Sequence, residues 1–280
     1  GVTNTGADVQ DLFIERINPD NPNQYEYMGE WQDMQVINEV IKVNGGEDVT
    51  LPVRITRHGP IISDVLEDQQ DALAVQWTAA EPSRVLQSVV LINQAQNYEQ
   101  FREALRYWDV PSQNFVYADK EGNIAYQMPG LTPIRKNGNG SLPVPGWTDE
   151  YEWQGWIPYE QLPAVLNPDK GYIVTANHAI VDESYPYLIT RDWNNGDRGQ
   201  RIVDMMEAAL ANGRKVTAAD FAQIQFDSES LMAASYQPYF ANIQSDDERV
   251  QTAVSLLSAW DRQERRDSVP ATIFEIFYLK

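Results

Sequence analysis

The chain has no cysteine, only two histidines, and 21 basic residues against 41 acidic ones. Without cysteine there is no disulfide, no thiolate nucleophile and no thiolate metal site. The compartment stays open, because an exported protein can lack cysteine too. Two histidines are too few for a zinc site, and a serine triad would have to use His58 or His178. His58, in TRHGP, reads as structural, and so does His178, although it follows Asn177 where a strand is expected to end. No HExxH, GxSxG, Walker loop or GxGxxG is present. GNGSLPVPG imitates a phosphate loop only superficially, since prolines stand where the helix would begin. No apolar run approaches the ~18 residues of a membrane span, and no signal peptide is visible. The net charge of −20 repels phosphates and excludes a nucleic-acid partner. It suits solubility, in a salty or exported setting.

What is present describes a packed globular protein. Hydrophobic residues make up 42% and aromatic residues 11% of 280 positions, enough for one large domain or two smaller ones. Residues 1–80 read as strands: Leu12 to Ile17, QYEYMGEW, Met34 to Val43, VTLPVRITR and ALAVQWT, divided by turns such as NPDNPN and NGGED. Pro60 is expected at a sheet edge or bend. Over 83–108 the period becomes helical, with Leu86, Val89, Val90 and Leu91, then Phe101, Leu105 and Trp108, and Asn97 as an N-cap. Within 112–180, QNFVYADKEGNIAYQM predicts a hairpin, Pro129 to Pro168 an ordered wrapping loop with Trp147, Trp153 and Trp156, and GYIVTANHA a buried strand. From 198 to 280 the chain is mostly helical, with capping boxes expected at Thr217/Asp220 and Ser245/Glu248. There is no internal repeat.

Both ends read as cut from something longer. GVTNTGADVQD enters its first strand with no lead-in, and TIFEIFYLK stops on an apolar run. Asparagine, aspartate, arginine and backbone groups suit the stabilisation of an oxyanion rather than attack on a carbonyl. Such a chain is half of an active site.

NTGADVQDLFIERI, TRHGPII, QNFVYADKEGNIAYQMPGLTPIR, LPVPGW, GYIVTANHA and GDRGQRI, in this order, resemble the penicillin acylase family of N-terminal-nucleophile hydrolases over nearly the whole chain. The resemblance implies an α+β fold, part of a four-layer αββα sandwich with antiparallel sheets and helical segments after about residue 198. It implies a linear-amide hydrolase in which a serine at the new N-terminus of the large subunit attacks, with its own α-amine as base; an amine of pKa ~8 suits that role. Residues 1–280 match an internal, incomplete piece of the large subunit. Its partners would be the remaining large-subunit segments, the small subunit and a small-molecule acyl amide. Family members are exported to the periplasm or secreted.

By the same resemblance, Asn4 matches the residue whose backbone N–H contributes to the oxyanion hole. Asn177 matches the asparagine whose side chain supplies the second donor, and Arg198 an arginine that orders the N-terminal serine. Asp8 and Asp11, with the carbonyl of Gln10, match calcium-binding positions, and hard oxygens suit that ion. Tyr187 stands where the pattern has another aspartate, with Asp182 nearby. No organic cofactor is implied. Gly1 cannot be the nucleophile, so the 280-residue polypeptide is expected to be inert by itself. Substrates would be β-lactam antibiotics or acyl-homoserine lactones, with Gly6 a hint toward aliphatic acyl chains.

Each residue has a plainer reading: Asn4 as a turn residue, Asn177 as a local cap, Arg198 as a surface ion-pair partner and the two aspartates as a solvated turn. The ordered set of segments favours the functional one for Asn4, Asn177 and Arg198. The rival classes are a noncatalytic carbohydrate- or ligand-binding β-rich module and an acidic interaction scaffold. The late helices and the missing blade-length repeat count against the module.

Overall fold

A computed structural model describes residues 1–66 and 71–279. The chain divides into two units. The first holds residues 1–173 and 180–193, the second 174–179 and 194–280.

The strands of the first unit include those that alternation and turn chemistry predict, with QYEYMGEW, expected as one strand, divided in two by a turn at Met28 and Gly29, and with Val2–Asn4 an addition. They are β1 (Val2–Asn4), β2 (Gln10–Glu15), β3 (Ile17–Asn18), β4 (Asn21–Tyr27), β5 (Glu30–Asp33), β6 (Gln35–Ile41), β7 (Val49–Thr56), β8 (Gly59–Pro60) and β9 (Ala72–Trp77). Helices α1 (Val85–Gln94) and α2 (Tyr98–Leu105) follow, then β10 (Gln113–Ala118), β11 (Ile124–Gln127), β12 (Pro133–Arg135), β13 (Val144–Pro145), β14 (Trp153–Trp156) and β15 (Ala164–Leu166). Pro60 lies in the edge strand β8.

The sheet that matters most here has the order β1-β10-β11-β15, antiparallel throughout, with Thr3 opposite Asn114 and Asn4 opposite Gln113. Its hairpin turns where Asp119 accepts the backbone N–H of Asn123 at 2.9 Å. A second sheet, β13-β2-β9, continues the chain beyond Asn4. There Phe13 is fully buried with Tyr25, Met34, Ile61 and Ala74. Removing such a side chain from water contributes roughly 1.5–3 kcal/mol.

Asn97 caps α2 as expected, accepting the Gln100 N–H at 2.9 Å. Phe101 of α2 meets Phe115 of β10 edge-on, with centroids 6.2 Å apart. The stretch from Pro129 to Pro168 is ordered: β12 pairs with β14, Trp153 packs edge-on against Trp156, and Arg16 lies over Trp147.

The second unit is helical: α3 (Asp197–Leu210), α4 (Ala218–Gln225), α5 (Leu231–Phe240), α6 (Glu248–Ser258) and α7 (Val269–Tyr278). Its core is Ala233, Phe240, Leu257, Trp260, Ala271 and Phe274. The Thr217/Asp220 capping box is present. The one expected at Ser245/Glu248 is not: Asp247 caps α6 by accepting the Arg249 N–H, and Ser245 accepts from Asp247 instead. Helix α5 has no counterpart among the expected elements, because LMAASYQPYF spreads its apolar residues around the helix and contains Pro238.

The expected strand GYIVTANHA is not one. Residues 174–179 leave the first unit and join the second, touching it through an isolated bridge of His178 with Asn194. Asn177 sits at φ +62°, in the left-handed region that ends an extended run.

Candidate active site

Asn4 ends β1, three residues beyond a close pair in which Gly1 and Val116 exchange backbone hydrogen bonds of 3.0 and 2.9 Å. Bonded and non-bonded pairs alternate along an antiparallel ladder. Asn4 therefore falls at a non-bonded position, and its backbone N–H is turned away from β10. Its side-chain oxygen accepts from Gln113 at 2.9 Å, and its carbonyl from Asn114 at 3.1 Å.

Asn177 and Arg198 are brought together in the second unit. One guanidinium nitrogen of Arg198 donates to the Ala176 carbonyl at 2.9 Å and to Asn177 Oδ1 at 2.7 Å. Arginine has donors only, so the carboxamide atom facing it is oxygen. The NH2 end of Asn177 is then the end turned away from Arg198. Arg198 stands in the first turn of α3, where the helix dipole disfavours a cation, and these two hydrogen bonds hold it there. Gly199 lets His178 approach α3: a Cβ at Gly199 would lie 2.5 Å from the His178 ring. His178 thus packs against the start of α3.

Asp8 and Asp11 do come together, but around a cation the chain itself supplies. Buried Arg135 donates to Asp11 Oδ2 at 2.8 Å and lies 3.3 Å from an Asp8 oxygen. Trp153 Nε1 also donates to Asp11 Oδ2. Burial raises the Asp8 pKa, Arg135 pulls it down, and Asp11 and Asp192 push it up again. Gln10 contributes its N–H, donated to the Asp8 carboxylate. Tyr187 donates its hydroxyl to Gln161, and Asp182 accepts from Ser184.

This donor set does not fit calcium, which takes six to eight oxygens. The guanidinium already neutralises the carboxylates, and among the described residues no three acidic or histidine side chains are grouped so as to hold a metal ion. No step is routed through a metal.

The sequence reading missed Arg135 and Asn114. Both carry a signal: a charged residue in a proline-bounded run, TPIRK, and an amide inside the alternating strand QNFVYA.

In solved structures, the thermostable penicillin G acylase of Alcaligenes faecalis superposes with a TM-score of 0.76 at 26% identity, over 95% of this chain and 48% of that one. The fold class is therefore the N-terminal-nucleophile hydrolases, in a mixed α+β form with antiparallel sheets. The Penicillin amidase family model matches residues 1–280, and the chain belongs to that family. An acyl-homoserine lactone acylase, QuiP, from Pseudomonas fluorescens (strain Pf-5) is 30% identical over 97% of this chain and 35% of its own length. Penicillin acylase 2 proenzyme from Pseudomonas sp. (strain SE83) is 34% identical over 75% of this chain and 27% of its own. The chain spans about a third of these relatives. Among the described residues no helix is long and apolar enough to cross a membrane.

Proposed function

We propose that this chain is the oxyanion-stabilising part of an enzyme that hydrolyses N-acyl amides. The observation that carries the reading is the Arg198 clamp on Ala176 and Asn177, which fixes the Asn177 carboxamide with its oxygen toward Arg198 and its NH2 end away from it. A neutral donor fixed in advance stabilises charge that develops only in the transition state.

In this reading an N-terminal hydroxyl from a segment outside residues 1–280 attacks the amide carbonyl, and its α-amine takes the proton. The carbonyl oxygen becomes an oxyanion, and the resemblance gives one donor role to the Asn4 backbone N–H and another to Asn177 Nδ2. Collapse breaks the C–N bond, the proton goes to the leaving amine, and water releases the acyl group by the same steps. Residues 1–280 alone turn over no amide.

Two relatives are named as an acyl-homoserine lactone acylase and a penicillin acylase, so acyl-homoserine lactones and penicillins are substrates to try. Gly6 has no atom within 4 Å of where its Cβ would be, which suits a longer aliphatic acyl group. The family assignment leaves the sugar-binding module without support.

The test is to express the full-length parent, sequence the N-terminus of its large subunit, and assay phenylacetyl and decanoyl amides. A serine, threonine or cysteine N-terminus with amide turnover is expected. Asn177→Ala should lower kcat roughly 10²–10³-fold. An Asn177→Ala enzyme as fast as the wild type would sink the proposal.

A further inference from the structure

We infer that Asn114 is the positioning residue that aims the Asn4 backbone, an inference that rests on the role proposed for Asn4 above. β1 is only three residues long, and at Asn4 the alternation gives β10 no ladder bond to hold. The peptide plane that carries the N–H meant for the oxyanion is held at the Thr3 carbonyl by the Thr3–Asn114 ladder pair, and one step further, at the Asn4 carbonyl, the ladder to β10 offers no bond. An oxyanion donor has to lie about 2.7–3.1 Å from the developing charge, so how the strand end at Asn4 is held matters to its position.

Asn114 supplies that hold. It is fully buried, and its NH2 donates to Thr3 Oγ1 at 3.1 Å and to the Asn4 carbonyl at 3.1 Å. Its Oδ1 accepts from the Tyr126 hydroxyl at 2.7 Å and from Thr5 Oγ1 at 3.4 Å. A carboxamide has two donors and two acceptor sites, and all four are used. Three of them go to three consecutive residues, Thr3, Asn4 and Thr5. The fourth ties the amide to Tyr126 of β11, itself buried in the next strand.

A buried asparagine that merely fills a polar hole would spread its bonds over whatever lies near. This one straddles the donor, gripping the side chain before Asn4, the Asn4 carbonyl and the side chain after it. Aspartate has the same shape but no donors, and it would set a carboxylate against the Asn4 carbonyl. Alanine would remove the bond to that carbonyl.

The experiment uses the processed full-length protein, wild type beside Asn114→Asp, Tyr126→Phe and Asn177→Ala. The rates measured are kcat and KM on phenylacetyl and decanoyl para-nitroanilides. Inhibition is measured with phenyl- and alkylboronic acids, whose tetrahedral adducts fill an oxyanion site, and with the carboxylic acid products. For Asn114→Asp the expected result is a kcat at least about tenfold lower with KM within about twofold, because the lost contact acts only in the transition state. Boronate affinity should fall by a similar factor while product affinity stays put. Tyr126→Phe, which removes only the hydroxyl that orients the amide, should show the same split at about threefold.

A merely structural role would lower the melting temperature and the yield without that split. Folded Asn114→Asp protein with wild-type kcat and boronate affinity overturns the inference. If that variant does not fold, wild-type behaviour of Tyr126→Phe overturns it. An active wild type, an impaired Asn177→Ala and unimpaired Asn114→Asp and Tyr126→Phe variants defeat this inference alone. A wild type that turns over no amide defeats the functional reading and this inference with it.

Discussion

Two asparagines mark opposite ways of holding a polar group still. Asn114, in the first unit, is sealed inside a sheet with every hydrogen-bonding site used. Asn177, in the second, is only half-buried, sits in the left-handed region, and belongs to a segment with no ladder. The first is fixed by burial, where low dielectric makes each hydrogen bond hard to give up. The second is gripped by an arginine from the start of α3. Burial makes a position robust but inaccessible, whereas a clamp at a half-buried residue leaves it open to a substrate. Mutations in the first region should therefore act on stability, with rate touched only at Asn114 and its direct partners, whereas those in the second should act on rate.

The largest effect on that contrast should come from His58, a titratable group buried in the first unit. Its ring stacks on Phe13 at 3.9 Å, and its nitrogens reach Glu15 at 2.9 Å and Glu152 at 3.2 Å. Thr56 donates to the same Glu15 oxygen, and Arg57 lies 3.2 Å from Glu152 and over the Tyr27 ring. The Tyr25 hydroxyl accepts the Arg57 N–H. Burial pushes the imidazole pKa down, but the hydrogen bonds to Glu15 and Glu152 outweigh it, and the net direction is up from 6.5. His58→Ala would strand the buried Glu15 carboxylate and should cost about 3–5 kcal/mol in urea unfolding. A loss below about 1 kcal/mol would mean that burial is not what fixes this unit.

The sign of the pH dependence follows. A folded pKa above 6.5 gives stability that is complete below that value and is lost as pH rises through the folded pKa. Glu152 is lowered, first by the His58 hydrogen bond and against its own desolvation, so its share is present above 4.5 and fades as pH falls through the folded value. The network should be strongest between those two limits. With two histidines in the chain, the ring signal lost in His58→Ala identifies His58, and its titration midpoint should lie above 6.5. A midpoint at or below 6.5 would refute the bridging protonated ring.

Arg198 gives a smaller effect of the opposite kind. Arg198→Ala in the full-length enzyme should lower kcat by about tenfold while unfolding shifts by less than about 1 kcal/mol, since the residue is exposed and its bonds are few. Arg198→Lys, which can reach only as a point charge, should fall between. Equal loss of stability and rate would erase the distinction between the two regions.

Much of the scaffold was legible because its local signals agree with its tertiary structure. Asn97 three residues before Gln100, the turn KEGN between alternating runs, and Thr217 before Asp220 each form what they spell. The sequence misled where a long-range partner overrides the local pattern. IVTAN alternates like a strand, but the chain changes units there and Asn177 turns left-handed. Asp8 and Asp11 have metal-like spacing, but Arg135, more than 120 positions away, takes both. Of the candidate site, the pairing of Arg198 with Asn177 could not be read from spacing, since 21 residues separate them. Asn114 looked like one polar residue in a strand because its four partners are set by register.

The smallest effect tests whether stability and site can be separated within the first unit. Asn97 caps α2, and α2 presents Phe101 to Phe115, the residue after Asn114 on β10. Asn97→Ala removes one cap bond and should cost ~1 kcal/mol, while Asn97→Ser or Asn97→Asp should lose only a few tenths. Helix fraying at the first turn of α2 has to pass through an edge-on aromatic contact and then through the fully bonded Asn114 before it can disturb Asn4. If burial fixes Asn4 as argued, kcat of the Asn97→Ala enzyme stays at the wild-type value while its unfolding midpoint drops. A matching fall in kcat would show that β10 yields to its helix, and that the sheet holds the donor no more firmly than the exposed clamp does.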